Sequence, residues 1–72
     1  MNIIYSDEKL IVDLENNEEI FNLKNKLFSI LNDYNIGEVE LNTTGNVNDQ
    51  EIGNIVREYH NNYNGVIKIN YK

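Results

Sequence analysis

Val66-Ile67-Lys68-Ile69-Asn70-Tyr71 alternates without a break, with Ile67, Ile69 and Tyr71 on one side of an extended chain and Val66, Lys68 and Asn70 on the other. Successive side chains of a strand point to opposite faces, so this segment buries one face and wets the other. A parallel sheet covered by helices on both sides would need apolar residues in both sets. The stretch therefore predicts a two-layer α/β sandwich with helices on one face only.

The same alternation recurs upstream. Asn2 to Tyr5 and Lys9 to Leu14 read as two strands joined across the turn-favouring Ser6-Asp7-Glu8, with Leu10, Val12 and Leu14 facing the core. Gly37 to Asn42 reads as a third strand, Val39 and Leu41 inward, Glu38 and Glu40 outward. Between them, from about Asn17 to Tyr34, the residues Ile20, Leu23, Leu27, Ile30, Leu31 and Tyr34 recur at helical spacing, with Phe21 and Phe28 as a shoulder one heptad apart. Asn16 can cap this helix with Glu19 three positions on, Glu18 and Glu19 suit the positive end of its dipole, and Asn35 to Gly37 supply a stop.

After the loop Thr43-Thr44-Gly45-Asn46, Asn48 is placed to cap a second helix, Glu51 to bond back to it, and Val47 to staple onto Ile52. Ile52, Ile55, Val56, Tyr59 and Tyr63 form its apolar stripe, and Asn64-Gly65 ends it. The predicted order is ββαβαβ: a four-stranded mixed sheet, strands two to four parallel where adjacent, and both helices on one face. The alternation leaves the strand order open.

At 72 residues the chain is one domain with a thin core, since a domain this small buries only roughly 60% of its unfolded surface. It has no cysteine, which fits a reducing cytosol and offers neither disulfide nor thiolate metal site. Nothing resembles a signal peptide or the roughly 20 apolar residues of a membrane span, so a cytoplasmic protein without membrane contact is expected. Twelve acidic and six basic residues give a net charge of −6, which repels phosphate backbones and disfavours direct nucleic-acid binding. The fifteen asparagines do not imply disorder, because apolar periodicity continues through them.

No constellation of side chains points to catalysis, a cofactor or a metal. His60 is the single histidine, so zinc would depend on carboxylates for its other ligands. Ser6 and Ser29 have no base indicated nearby. Glu38 and Glu40 share a strand face, and such a pair can raise one pKa, although exposed strand residues rarely do so. Gly37, Gly45, Gly53 and Gly65 are scattered rather than clustered as a phosphate cradle. Tyr5, Tyr34, Tyr59, Tyr63 and Tyr71 lie near ends of elements, where a ring packs at the core edge and its hydroxyl stays wet.

From Leu10 to Ile69 the chain resembles a shortened STAS-type domain, the fold of bacterial anti-sigma-factor antagonists. The matching features are a strand ahead of a capped helix, the strand Glu38-Val39-Glu40-Leu41, an acidic residue opening a second helix, and a closing strand preceded by glycine. In that family the loop entering the second helix carries Asp-Ser-[Ser/Thr]-Gly, phosphorylated on the hydroxyl by a partner kinase. Here the stretch is Asn48-Asp49-Gln50-Glu51, so Asp49 matches and the phosphoacceptor serine is absent. A weaker resemblance is to the ubiquitin-like β-grasp, through the opening hairpin and long helix, but the chain ends Asn70-Tyr71-Lys72 without a Gly-Gly tail.

The absence of site chemistry and the STAS-type resemblance together lead to the expectation of a non-enzymatic regulator that binds a larger protein, and the thin core leaves room for a homodimer. The expected contact face is Thr44, Asn48, Asp49, Gln50 and Arg57, the last being the only arginine. The alternative is a small acidic inhibitor from a phage or mobile element, presenting Asp13, Glu15, Glu38 and Glu40 as phosphate surrogates to a basic groove.

Overall fold

Strand register converts the alternation into a layer. The structure, a computed structural model, describes residues 2–44 and 46–71; Met1, Lys72 and the expected loop residue Gly45 lie outside them. The elements run β1 (Asn2–Ser6), β2 (Lys9–Asp13), α1 (Glu18–Asp33), β3 (Glu38–Thr43), α2 (Asp49–Asn62) and β4 (Val66–Tyr71). They form one sheet in the order β1-β2-β3-β4, with β1 antiparallel to β2, and β2, β3 and β4 mutually parallel. Two crossovers stepping in the same direction, each right-handed by the general rule, carry both helices to one face.

The inner face is built from rows across the sheet, such as Ile3–Val12–Leu41–Ile69 and Tyr5–Leu10–Val39–Ile67. Leu23 and Leu27 of α1 and Ile52, Ile55 and Tyr59 of α2 close over it, all nearly or fully buried. Burying such side chains contributes about 1.5–3 kcal/mol each relative to exposure. Thr43, expected in the loop, instead ends β3 on this face and is fully buried. The strand gains that residue because Thr43 pairs with Tyr71 in the parallel register.

The hairpin turn is tighter than expected. Asp7 and Glu8 alone connect the strands, both with positive φ, 52° and 63°. That pair of left-handed residues suits the right-handed twist of a two-residue hairpin, at a steric expense that glycine would avoid. The Glu8 carbonyl accepts the Gly37 amide at 2.8 Å, and the Gly37 carbonyl accepts the Val66 amide at 3.1 Å. The starts of β2, β3 and β4 are thus aligned by a chain of backbone bonds.

Neither helix stops on a left-handed glycine. α1 ends at Tyr34 (φ −126°, ψ 150°) and α2 at Tyr63 (φ −137°, ψ 151°), each extended, with its amide still bonded four residues back. Tyr34, expected on the buried stripe, is 59% exposed because it has left the helix and its ring leans on Tyr5. Tyr59 keeps its expected place on the apolar stripe of α2, but its hydroxyl, expected to stay wet, reaches the Val66 carbonyl at 3.4 Å and the residue is fully buried.

Within α2, a methyl group added at Gly53 would meet nothing within 4 Å. Gly53→Ala should therefore stabilise the protein by about 1 kcal/mol through helix propensity. A urea-unfolding series on the two proteins checks this, with an unchanged slope and a higher midpoint expected.

Candidate functional site

Asn48 starts α2 as the sequence suggests: its Oδ1 accepts the amides of Gln50 at 2.8 Å and Glu51 at 3.4 Å. The return bond differs. Rather than meeting the Glu51 side chain, the Asn48 amide donates to Asn17 Oδ1 at 2.6 Å. Asn17 is available because Asn16 caps α1, its Oδ1 accepting the Glu19 amide at 3.3 Å. Two helix starts that are 31 residues apart in sequence are clipped together by one asparagine each.

Thr44 and Asp49 belong to the same closure. Thr44 Oγ1 donates to the Glu15 carbonyl and accepts the Asn46 amide, both at 3.2 Å. The Asp49 carboxylate accepts the Tyr71 hydroxyl at 3.0 Å, tying α2 to the end of β4. That hydrogen bond, with some burial behind it, raises the Tyr71 hydroxyl above its ordinary pKa. Of the five residues expected to make one contact face, Thr44, Asn48 and Asp49 are thus engaged in holding the fold. Gln50 and Arg57 stand apart from them, two helical turns apart on the exposed side of α2. The Arg57 guanidinium makes no ion pair among the described residues.

Beside that stripe runs a groove between the helices, about 280 Å³, lined by Asn17, Ile20, Phe21 and Lys24 of the α1 segment and Glu51, Asn54 and Ile55 of α2. Lys24 reaches Glu58 at 3.5 Å across it. Phe21 stands on its rim with 76% of its surface exposed. The helical pattern marks Phe21 as a shoulder beside the buried stripe, and its signal is a large aromatic one position off that stripe, where a polar residue is usual.

The open sheet face holds an ion-pair network. Lys9 Nζ lies 3.2 Å from Glu38 and 3.5 Å from Glu40, and Lys68 lies 3.6 Å from Glu38. One row below, Asn42 donates to Asp13 at 2.9 Å, and Asn70 donates to Glu40 at 2.9 Å and to Asn42 at 3.0 Å. The hydrogen bond from Lys9 holds Glu38 below the ordinary 4.5, and the same bond raises Lys9. The raised carboxyl that a pair of glutamates can produce is not found at Glu38; the interposed lysine reverses the sign.

A depressed pKa in the folded state adds stability that is complete above the unfolded value and fades as pH falls toward the folded one. Thermal melts of the wild type and Glu38→Gln from pH 7 to pH 3 should therefore start apart, with the wild type more stable, and converge below about pH 4.5. A constant gap would mean that Glu38 is not held by its lysines.

His60 is exposed on α2, its ring edge-on to Tyr59 at 5.8 Å. Among the described residues no group of three histidine, cysteine or carboxylate side chains converges as a metal site, and no helix is long and apolar enough to cross a membrane. A comparison of the chain with protein-family models, with curated proteins and with solved structures finds no match.

Proposed function

We propose that this chain is a non-enzymatic, cytoplasmic interaction module that regulates a larger protein by docking on it through the helical layer. The observation that carries this reading is Phe21 at the rim of the inter-helix groove. A single exposed apolar residue is ordinary on a protein surface. Here it adjoins Ile20 and Ile55, with Asn17, Lys24, Glu51 and Asn54 around them, an apolar centre within a polar margin of the kind that binds proteins. Gln50 and Arg57 are exposed on α2 next to the groove residues Glu51 and Asn54 by helical spacing, and among the described residues Arg57 makes no ion pair.

The occupant that fits is a protein segment offering an apolar side chain to the groove and a carboxylate to Arg57. The STAS-type resemblance supports the same region, since that family engages its partners around the start of the second helix. In this reading the contact rests on Phe21, Gln50 and Arg57, because the Asp49 carboxylate is already engaged by the Tyr71 hydroxyl.

The nucleic-acid-mimic reading draws less support, because Glu38 and Glu40 are countered by Lys9 and Lys68 and Asp13 accepts from Asn42. A charge-driven mimic loses most of its affinity between low and physiological salt. Groove docking does not.

Affinity capture from the native host with wild type, Phe21→Ala and Arg57→Glu tests the proposal. Both substituted residues are exposed, so circular dichroism and melting temperature should stay close to wild type, while each change weakens the captured partner's affinity about tenfold or more. A partner retained undiminished by the double variant rejects the groove. A partner lost on amidation of Asp13, Glu15, Glu38 and Glu40 instead favours the mimic.

A further inference from the structure

We infer that β1 is a self-complementary edge through which two copies of this chain pair, joining their sheets into one of eight strands about a two-fold axis at Ile4. β1 ends the sheet, its residues Asn2–Ser6 carry no charge, and no proline, bulge or lysine interrupts them. Proteins that leave an edge strand in water usually blunt it with such features. The opposite edge is blunted, since β4 carries Lys68 at its middle. Lys9, paired with Ser6 across the turn, is drawn the other way, toward Glu38 and Glu40 on β3.

The register determines what the edge offers. Ser6 and Lys9 flank a two-residue turn, so they form a hydrogen-bonded pair of the hairpin, and the alternation makes Ile4–Ile11 and Asn2–Asp13 the next such pairs. The amides and carbonyls of Ile3 and Tyr5 therefore point away from β2. An antiparallel copy centred on Ile4 sets Ile3 against Tyr5 of the partner and Tyr5 against Ile3 of the partner. All eight outward groups are then satisfied in four hydrogen bonds. Ile4 meets its own copy at the close, non-hydrogen-bonded position.

Side chains continue the match. Ile4 is 53% exposed on the open face, and Tyr5 and Tyr34 are 51% and 59% exposed over the cleft formed with Ile3, Leu10 and Ile30 on the helical side. Covering part of these residues and the edge backbone gives an interface in the small class, below about 1,200 Å² in all. A dimer dissociating in the micromolar range is expected rather than a permanent one. Each copy carries −6, so added salt should tighten the pair by screening its repulsion.

The test uses the absence of cysteine. At a non-hydrogen-bonded pair the Cα atoms lie about 4.5 Å apart, within the range a disulfide spans. Ile4→Cys in an oxidising glutathione buffer should collect mostly as covalent dimer. Ser6→Cys, whose copies would sit about 13 Å apart in this register, should remain monomeric. Sedimentation of the wild type from about 1 µM to about 1 mM should show the mass doubling, Ile4→Lys should abolish it with an unchanged circular dichroism spectrum, and Phe21→Ala should leave it intact. A monomer throughout that range, a dimer indifferent to Ile4→Lys, or Ser6→Cys crosslinking as readily as Ile4→Cys overturns the inference. Because Phe21 lies outside the seam, each of those outcomes leaves the groove proposal standing, and loss of the groove partner leaves the dimer standing.

Discussion

Gly65→Ala is expected to destabilise the protein by about 2–3 kcal/mol, lowering its melting temperature by roughly 10–20 °C. A methyl group there would press on the Tyr59 hydroxyl and come within 2.7 Å of the Gly37 carbonyl oxygen. The first is the tip of a side chain, but a buried one; the second is backbone, already accepting the Val66 amide. Relief requires β3 and β4 to part at their shared start. A domain of this size is stable by only about 4–10 kcal/mol, so the loss is a large share of the whole.

Tyr59→Phe separates the two collisions. The hydroxyl makes one long hydrogen bond, 3.4 Å to the Val66 carbonyl, so its removal alone should be mild, about 0.5–1 kcal/mol. Combined with Gly65→Ala it removes one obstacle, and the double variant should be more stable than the sum of the two single effects predicts. Strict additivity, read from denaturant midpoints, would place the whole strain at Gly37. Gly37→Ala is the control, since its added methyl would meet only the Glu8 carbonyl at an ordinary 3.9 Å.

These glycines show where sequence reading reached its limit. Gly37 and Gly65 follow helical patterns, and the frequent reason for such a glycine is a left-handed helix cap. Neither has a positive φ. Tyr34 and Tyr63 end the helices by turning extended, and what Gly65 supplies is room for a neighbouring backbone, which depends on a contact 28 residues away. Local pattern does not encode such a contact. It does encode the one-faced strands, because burial acts on every second residue of β2 and β3, and the Asn48 cap, whose partners lie within three residues.

The candidate site divides along the same line. That α2 begins at Asn48 was legible; that Asn17 would take its amide, and Tyr71 the carboxylate of Asp49, was not, since those bonds span 31 and 22 residues. Of the five polar residues expected as a contact face, Thr44, Asn48 and Asp49 have their side chains in the closure itself, while Gln50 and Arg57 do not. Phe21 carried the opposite signal, an apolar residue that no burial requires, and it was available to a helical projection.

Leu41→Ala should cost about 3–4 kcal/mol and bring the protein close to its unfolding threshold at 37 °C, whereas Ile69→Ala should cost roughly half as much. The two occupy one row of the inner face, Val12–Leu41–Ile69, and differ in where their strands lie. β3 has a paired strand on each side, and Leu41 is fully buried; β4 is an edge, and Ile69 remains partly open. A side chain that keeps part of its surface in water has less transfer free energy to lose, and the space it vacates is reached by solvent rather than left as a void. The ratio therefore reads the strand order, which alternation alone left open because an inward residue looks the same in the middle of a sheet and at its margin. Urea unfolding of both variants supplies it, with amide exchange as a second reading in which β3 should be the best protected strand. Equal losses from the two substitutions would mean that β4 is covered on its outer side, and the order β1-β2-β3-β4 would have to be extended by a strand from elsewhere.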